Sequence, residues 1–238
     1  MIAPVVTSLI EVAVWTGIFR GLQATTLGGF GLDNYLAYAI WGSFVARISV
    51  TWNYESKMIE EIESGSINVL LSRPTTFYEY YLFQFFGYKV VTTFVSLLVP
   101  LTAAYWFDLP VFLDRLPLAL LLIFYYLILV HTLSFCVATI AFHLNRVHSF
   151  TVAKNLSLWL LSGELIPLDL LPDFWRGILL NLPFANAVYI PVGYITGRGD
   201  ISLLQQGFMT TTIGIVFFGL LARLSWQSGI RVYTGTGA

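Results

Sequence analysis

The sequence predicts an all-α, polytopic membrane protein with six transmembrane helices. Three observations carry that prediction. Of the 238 residues, 57% are hydrophobic and only 11% are charged, whereas soluble domains carry about 25% charged residues. The mean hydropathy is +0.77. A larger soluble core cannot produce this value, because a chain of this size still needs a polar surface. Lipid must therefore replace water around much of the chain. Finally, residues 116–142 run for 27 positions without a formal charge, and about 20 helical residues cross a hydrocarbon core of ~30 Å.

The first span is expected over residues 2–19. The start lacks a positively charged n-region and its apolar run contains Glu11, so it reads as a retained span rather than a signal peptide. Residues 20–33 are polar and Gly-rich and form a loop. The second span covers 34–52. The segment 53–88 holds repeated charges and connects to a third span over 90–107, which contains Pro100. A proline is tolerated there if neighbouring groups satisfy the freed carbonyl. Residues 116–142 are the fourth span, 149–166 the fifth and 203–225 the sixth. Between the last two, residues 167–202 are broken by Pro167, Pro172, Pro183 and Pro191. These pieces are too short to span and too apolar for an ordinary loop. They fit short re-entrant helices in the outer leaflet, with Trp175 and Tyr189 as interface anchors. The whole chain forms one transmembrane domain.

Lys and Arg counts set orientation. Six spans put both termini on one side, together with Arg47, Lys57, Arg73, Lys89, Arg146, Lys154, Arg223 and Arg231. Four arginines, Arg20, Arg115, Arg176 and Arg198, fall on the other. Eight against four places the termini in the cytoplasm.

Several chemistries are excluded or unsupported. The net charge of −1 argues against a nucleic-acid partner. The single cysteine, Cys136, excludes an intramolecular disulfide and a Cys-based zinc site. The sequence has no G-x-x-x-x-G-K-S/T phosphate loop and no G-x-S-x-G elbow. Leu161-Ser162-Gly163-Glu164-Leu165 looks like part of an ATPase signature but sits at the outer end of a span. Arg198-Gly199-Asp200 is a chance triplet. His143 and His148 read as loop histidines without carboxylate partners at ligand spacing. His131, in mid-span, is expected to hydrogen-bond to a neighbouring helix.

Glu11 is the costliest residue, at roughly 2.5–3.5 kcal/mol for a carboxylate at mid-membrane. Counting rise from the cytoplasmic ends, Arg47 lies about 6 Å away in depth. Either the two pair, or Glu11 lies at an interface. In the connecting segment, residues 54–65 are helix-like. Met58, Ile59 and Ile62 share one face, and Glu60, Glu61 and Glu63 fall mostly on the other. Gly65 is the expected stop, and Arg73-Pro74 ends the next apolar stretch. An acidic amphipathic helix is poorly suited to anionic lipid, which favours a solvated connector or a protein-docking surface.

Two motifs add a resemblance. Ile62-Glu63-Ser64-Gly65-Ser66-Ile67, followed by Leu70-Leu71-Ser72-Arg73-Pro74, resembles an element of the ABC transporter type-2 permeases, closest to their small six-span exporter members. Ser162-Gly163 with Ile166-Pro167-Leu168, Leu171-Pro172 and Leu182-Pro183-Phe184 is similar to that family's pattern after the fifth span. The resemblance implies a permease subunit that is not itself an enzyme. It would dimerise with an identical or related permease and pair with two copies of a cytosolic ABC ATPase. This chain would bind no cofactor; ATP and Mg would sit on the ATPase. It also implies a coupling helix between spans two and three, here Glu55–Gly65 with Met58, Ile59, Glu60, Glu61, Ile62 and Glu63, followed by Arg73 and Pro74. The re-entrant gate would comprise Gly163, Glu164, Pro167, Pro172, Trp175 and Pro183. Export across the inner (plasma) membrane would follow. The sequence departs from the pattern at its start: such permeases usually open with a cytoplasmic amphipathic helix, and here the first span begins at residue 2. Either this branch lacks that helix or the start is truncated. An ion-gradient-driven secondary transporter, or an integral membrane enzyme, are the alternatives. Phe124, Tyr125, Tyr126 and Trp159 would suit an amphipathic cargo or simply face lipid.

Overall fold

Apolar sequence that cannot hydrogen-bond to water must close its backbone bonds within each segment, and helices do so locally. In the computed structural model, which describes residues 2–49, 51–52, 54–144 and 146–234, every regular element is helical. In chain order these are α1 (Ile2–Leu22), α2 (Leu32–Ser49), α3 (Ser56–Glu63), α4 (Ile67–Leu71), α5 (Phe77–Phe107), α6 (Leu116–Thr139), α7 (His148–Leu161), α8 (Asp173–Asn181), α9 (Tyr189–Ile195) and α10 (Ile201–Val232). Short 3-10 turns precede and follow α6 and flank α8.

Four helical stretches are long and apolar enough to cross a membrane: Ala3–Leu22, Phe77–Phe107, Leu113–Phe142 and Ile201–Val232. α6 is the central one. It packs against α10, α2, α5, α7 and α9, and Leu122, Ile123, Tyr126 and Leu127 on it are fully buried. The other three expose broad apolar faces, including Leu9 and Ile10 on α1, Phe83 and Phe94 on α5, and Phe217 and Leu220 on α10. Apolar surface on that scale requires lipid or a protein partner.

Two expected spans take a different form. α2 has 18 residues, and most of them, from Tyr35 to Ser49, are buried. A helix sheathed by protein can carry more polar sequence than one facing lipid. α7 is only 14 residues long, a rise of about 21 Å. It stops at Leu161 rather than continuing to 166, because Gly163 takes a left-handed backbone (φ +79°).

The third long helix begins at Phe77, not at residue 90. A capping box starts it: the Thr76 hydroxyl accepts from the Glu79 N–H at 3.1 Å, and the Thr76 N–H donates to the Glu79 carboxylate at 3.1 Å. Each half satisfies an otherwise orphaned donor. Residues 77–88 therefore belong to a helix rather than to the connection.

Candidate functional site

The first candidate is the α3–α4 elbow. Met58 and Ile62, one helical turn apart, are buried, and Ile59 is half-buried beside them. They join Ile67, Leu70, Phe77 and Phe135 in one apolar cluster. Glu60 and Glu63 are exposed and Glu61 is half-buried, so the amphipathic reading of residues 54–65 agrees with the structure. Gly65 ends the helix with φ +76°. Its carbonyl accepts from the Tyr233 hydroxyl at 3.2 Å, which ties the end of α10 to the elbow. Arg73 and Pro74 are exposed. A cleft of about 380 Å³ separates Ile59, Glu60 and Glu63 from Arg146 and His148.

Glu55, immediately before α3, is completely buried. Its carboxylate accepts from Lys154 Nζ of α7 at 2.6 Å, and Lys154 also donates to Ser134 Oγ of α6 at 2.9 Å. The Glu55 backbone carbonyl accepts from the Ile59 N–H at 2.9 Å. One residue therefore both opens α3 and fixes it to the body of the bundle. Next to it, Tyr54 donates to the Tyr81 carbonyl at 2.7 Å. Burial first, and then the neighbouring Tyr78 and Glu55, push its phenol well above the ordinary tyrosine range.

The second candidate is the segment 162–200. The Gly163 carbonyl accepts from the Tyr38 hydroxyl at 2.7 Å, and the Ser162 carbonyl accepts from the Tyr189 N–H at 3.0 Å. Asp169 is the hub. It accepts from the Tyr189 hydroxyl and from the Arg198 guanidinium, and Arg176 lies 3.7 Å away. The Arg198 guanidinium also rests on the rings of Phe30, Tyr35 and Tyr38, at 4.6, 4.3 and 4.9 Å from their centroids. These contacts join the α1–α2 loop, α2, the turn after α7 and the α9–α10 loop. Burial, then the Asp169 hydrogen bond, raise the Tyr189 phenol well above its usual range.

Tyr189 is thus not an interface anchor. It is 2% exposed, because its hydroxyl has a buried acceptor to satisfy. Trp175, by contrast, is exposed on α8 beside Phe174. Pro167 is buried, Pro172 exposed and Pro183 half-buried. Tyr126 is fully buried in the core and so faces neither lipid nor cargo.

Among the intramembrane polar residues, Glu11 and Arg47 form no ion pair among the described residues. Arg47 is exposed and lines a small cleft with Pro4, Thr7, Trp52, Trp159 and Glu164. The electrostatic neighbour of Glu11 is instead Glu164. His131 is buried and bridges two partners. Its Nε2 lies 3.1 Å from the Tyr78 carbonyl and its Nδ1 3.1 Å from the Tyr54 hydroxyl. The expected interhelical hydrogen bonding is present.

Sequence reasoning missed five residues: Glu55, Lys154, Asp169, Arg198 and Lys89. The last donates to the Ile48 carbonyl at 2.5 Å and the Arg47 carbonyl at 3.4 Å. A buried cation thereby closes the C-terminal end of α2, where the helix dipole favours positive charge. Lys89 and Lys154, both counted among the cations of one side, are buried. The readable signal was their lone position within apolar runs.

Four membrane-length helices with apolar flanks, α6 central among them, define a multi-pass membrane protein. The chain matches the family model of the ABC-2 family transporter proteins over residues 5–237, and it belongs to that family. Membership makes it a permease subunit of an ABC transporter, the transport subunit rather than the catalytic one, and implies an ABC ATPase as partner. No curated protein and no solved structure was found to match the chain.

Proposed function

We propose that this chain is the six-span permease of an ATP-driven ABC exporter, working as a dimer with two cytosolic ATPase subunits in the inner membrane. α2 and α7 complete the six crossings, with the turn at 162–167 extending α7 toward the outer face. Both termini lie in the cytoplasm, and ATP and Mg are bound and turned over by the partner. α3 is the coupling helix, and 163–183 supplies the outer gate.

The observation that carries this reading is the construction of α3. A solvated connector needs no fixed seat. This helix sinks Met58 and Ile62 into the bundle and turns Glu60 and Glu63 outward. Through Glu55 it is also bonded to α7. An element held rigidly on one side and charged on the other is suited to receive a push from a docked protein.

The test is co-purification in gentle detergent. The native chain is expected to bring down an ATPase subunit, and a Glu60→Lys, Glu61→Lys, Glu63→Lys variant to lose it. Retention by the variant moves the docking surface elsewhere. Absence of an ATPase from both, after cross-linking in the membrane, overturns the exporter reading.

A further inference from the structure

A cavity of about 630 Å³ lies beside the α3–α4 elbow and shares Leu70, Arg73 and Pro74 with it. It opens between the α4–α5 turn, α6 and the Ile215–Trp226 stretch of α10. Its lining combines the polar and cationic Arg73, Thr75 and Arg223 with the apolar Phe135, Ile215 and Gly219. Among the described residues, no acidic one lines it. The nearby Glu79 is already engaged by the N–H and hydroxyl of Thr76.

The walls are pinned by their own contacts. Trp226 stacks on Phe77 with centroids 5.4 Å apart and lies 5.3 Å from Phe135. Tyr78 is hydrogen-bonded to Thr132 at 2.8 Å. A cavity built this way is preformed, which lowers the entropic cost of filling it. Its volume falls in the range of small-molecule sites.

Depth follows from the helices. α5 and α10 have 31 and 32 residues, so each rises roughly 45–50 Å and overhangs a ~30 Å core. Arg223 is eight residues beyond Ile215, about 12 Å closer to the end of α10. On the orientation proposed above, on which this inference rests, Arg73 and Arg223 stand at cytoplasmic headgroup level. Ile215 and Gly219 then stand at acyl-chain level. Trp226 is placed where interfacial tryptophans are enriched.

We propose that this cavity is a binding site for an anionic phospholipid of the cytoplasmic leaflet. Arg73 and Arg223 take its phosphate, and one acyl chain runs along Phe135, Ile215 and Gly219. Charge complementarity selects the headgroup, because basic pockets between membrane helices on the cytoplasmic side favour anionic lipid. A soluble anion would use only the cationic lining and leave the apolar lining uncovered. A bound lipid would bridge the α4–α5 turn to α10, and so would brace the elbow.

The test is native mass spectrometry of the purified permease alone, titrated with phosphatidylglycerol or phosphatidylcholine. The native chain is expected to retain phosphatidylglycerol preferentially. An Arg73→Gln, Arg223→Gln variant should lose about 30-fold in phosphatidylglycerol affinity, the loss expected for two cations near an anionic surface, and keep its phosphatidylcholine binding. Gly219→Leu keeps both arginines. A Cβ at Gly219 meets nothing within 4 Å, so the leucine is accommodated in the fold while it fills the cavity. Phosphatidylglycerol binding should fall in this variant too. An unchanged lipid preference in the arginine variant overturns the proposal. So does full binding by Gly219→Leu, which would place the lipid on the surface rather than in the cavity. Neither readout involves the ATPase, so failure here and failure of the exporter reading are separately visible.

Discussion

Gly163→Ala is the sharpest single test of how the 162–200 segment is held. The backbone there has φ +79°, and a non-glycine residue in left-handed geometry costs roughly 1–2 kcal/mol. An added Cβ would also stand 2.7 Å from Tyr189 Cβ, well inside the 3.5–4.0 Å of ordinary carbon contacts. Tyr189 cannot retreat, because its hydroxyl is bonded to Asp169 and its N–H to the Ser162 carbonyl. Overpacking of this kind costs about 1–3 kcal/mol. Together the two effects give a loss of about 2–5 kcal/mol. For a chain of this length that lowers the melting midpoint by on the order of 10 °C. Gly177→Ala is the matched control: it lies within α8, meets nothing within 4 Å, and gains up to about 1 kcal/mol of helix propensity. The assay is thermal unfolding of both variants in one detergent, followed by tryptophan fluorescence. Tyr189→Ala should not rescue Gly163→Ala, since the atom struck is Cβ itself. Equal midpoints for the two glycine variants would refute the argument.

Two further predictions concern buried charge. Glu55→Met or Lys154→Met alone should each destabilise by about 3–5 kcal/mol, because the remaining partner is left without its counter-ion; the two together should cost clearly less than their sum, read by the same melts as a double-mutant cycle. Asp169→Asn should expose the 162–200 segment to limited proteolysis, since Arg198 loses its only anionic acceptor among the described residues; a digestion pattern like that of the native chain would count against Asp169 as the hub.

How much of this was legible can be argued residue by residue. The seat of α3 could be read because Met58 and Ile62 are separated by one helical turn and the glutamates between them fall on the opposite side. The start of α5 was legible and was passed over. Thr76 and Glu79 have the spacing of a capping box ahead of an apolar run, but the charges of Glu79 and Lys89 made residues 77–88 look like connector. That Lys89 serves the end of α2 could not be seen, because its acceptors are backbone carbonyls 41 and 42 positions away. For Glu11 and Arg47, rise per residue gives only a difference in depth. Depth does not fix the direction a side chain leaves its helix, and Arg47 leaves toward Thr7 and Glu164. The Asp169 hub joins residues 20 and 29 apart through loops, where no periodicity exists to read.

The placing of Glu55 and Lys154 has a physical consequence for the transport reading. A buried ion pair is a poor way to stabilise a fold, since desolvation offsets most of its attraction and apolar packing of similar volume does as well or better. What such a pair does supply is a single geometry: at 2.6 Å, with Ser134 as a third partner, Lys154 admits little sliding of α3 along α7. The apolar contacts of Met58 and Ile62 alone would tolerate a shift of register, because they are non-directional. Displacement of α3 by a docked ATPase must therefore either carry α7 with it or break the pair. Breaking is the costlier path. α7 ends two residues before Gly163, whose carbonyl is bonded to Tyr38 on α2, and Ser162 is bonded to Tyr189 on α9. On the reading proposed above, a push at the elbow thus arrives through one stiff helix of 14 residues at the turn where the outer segment is hinged.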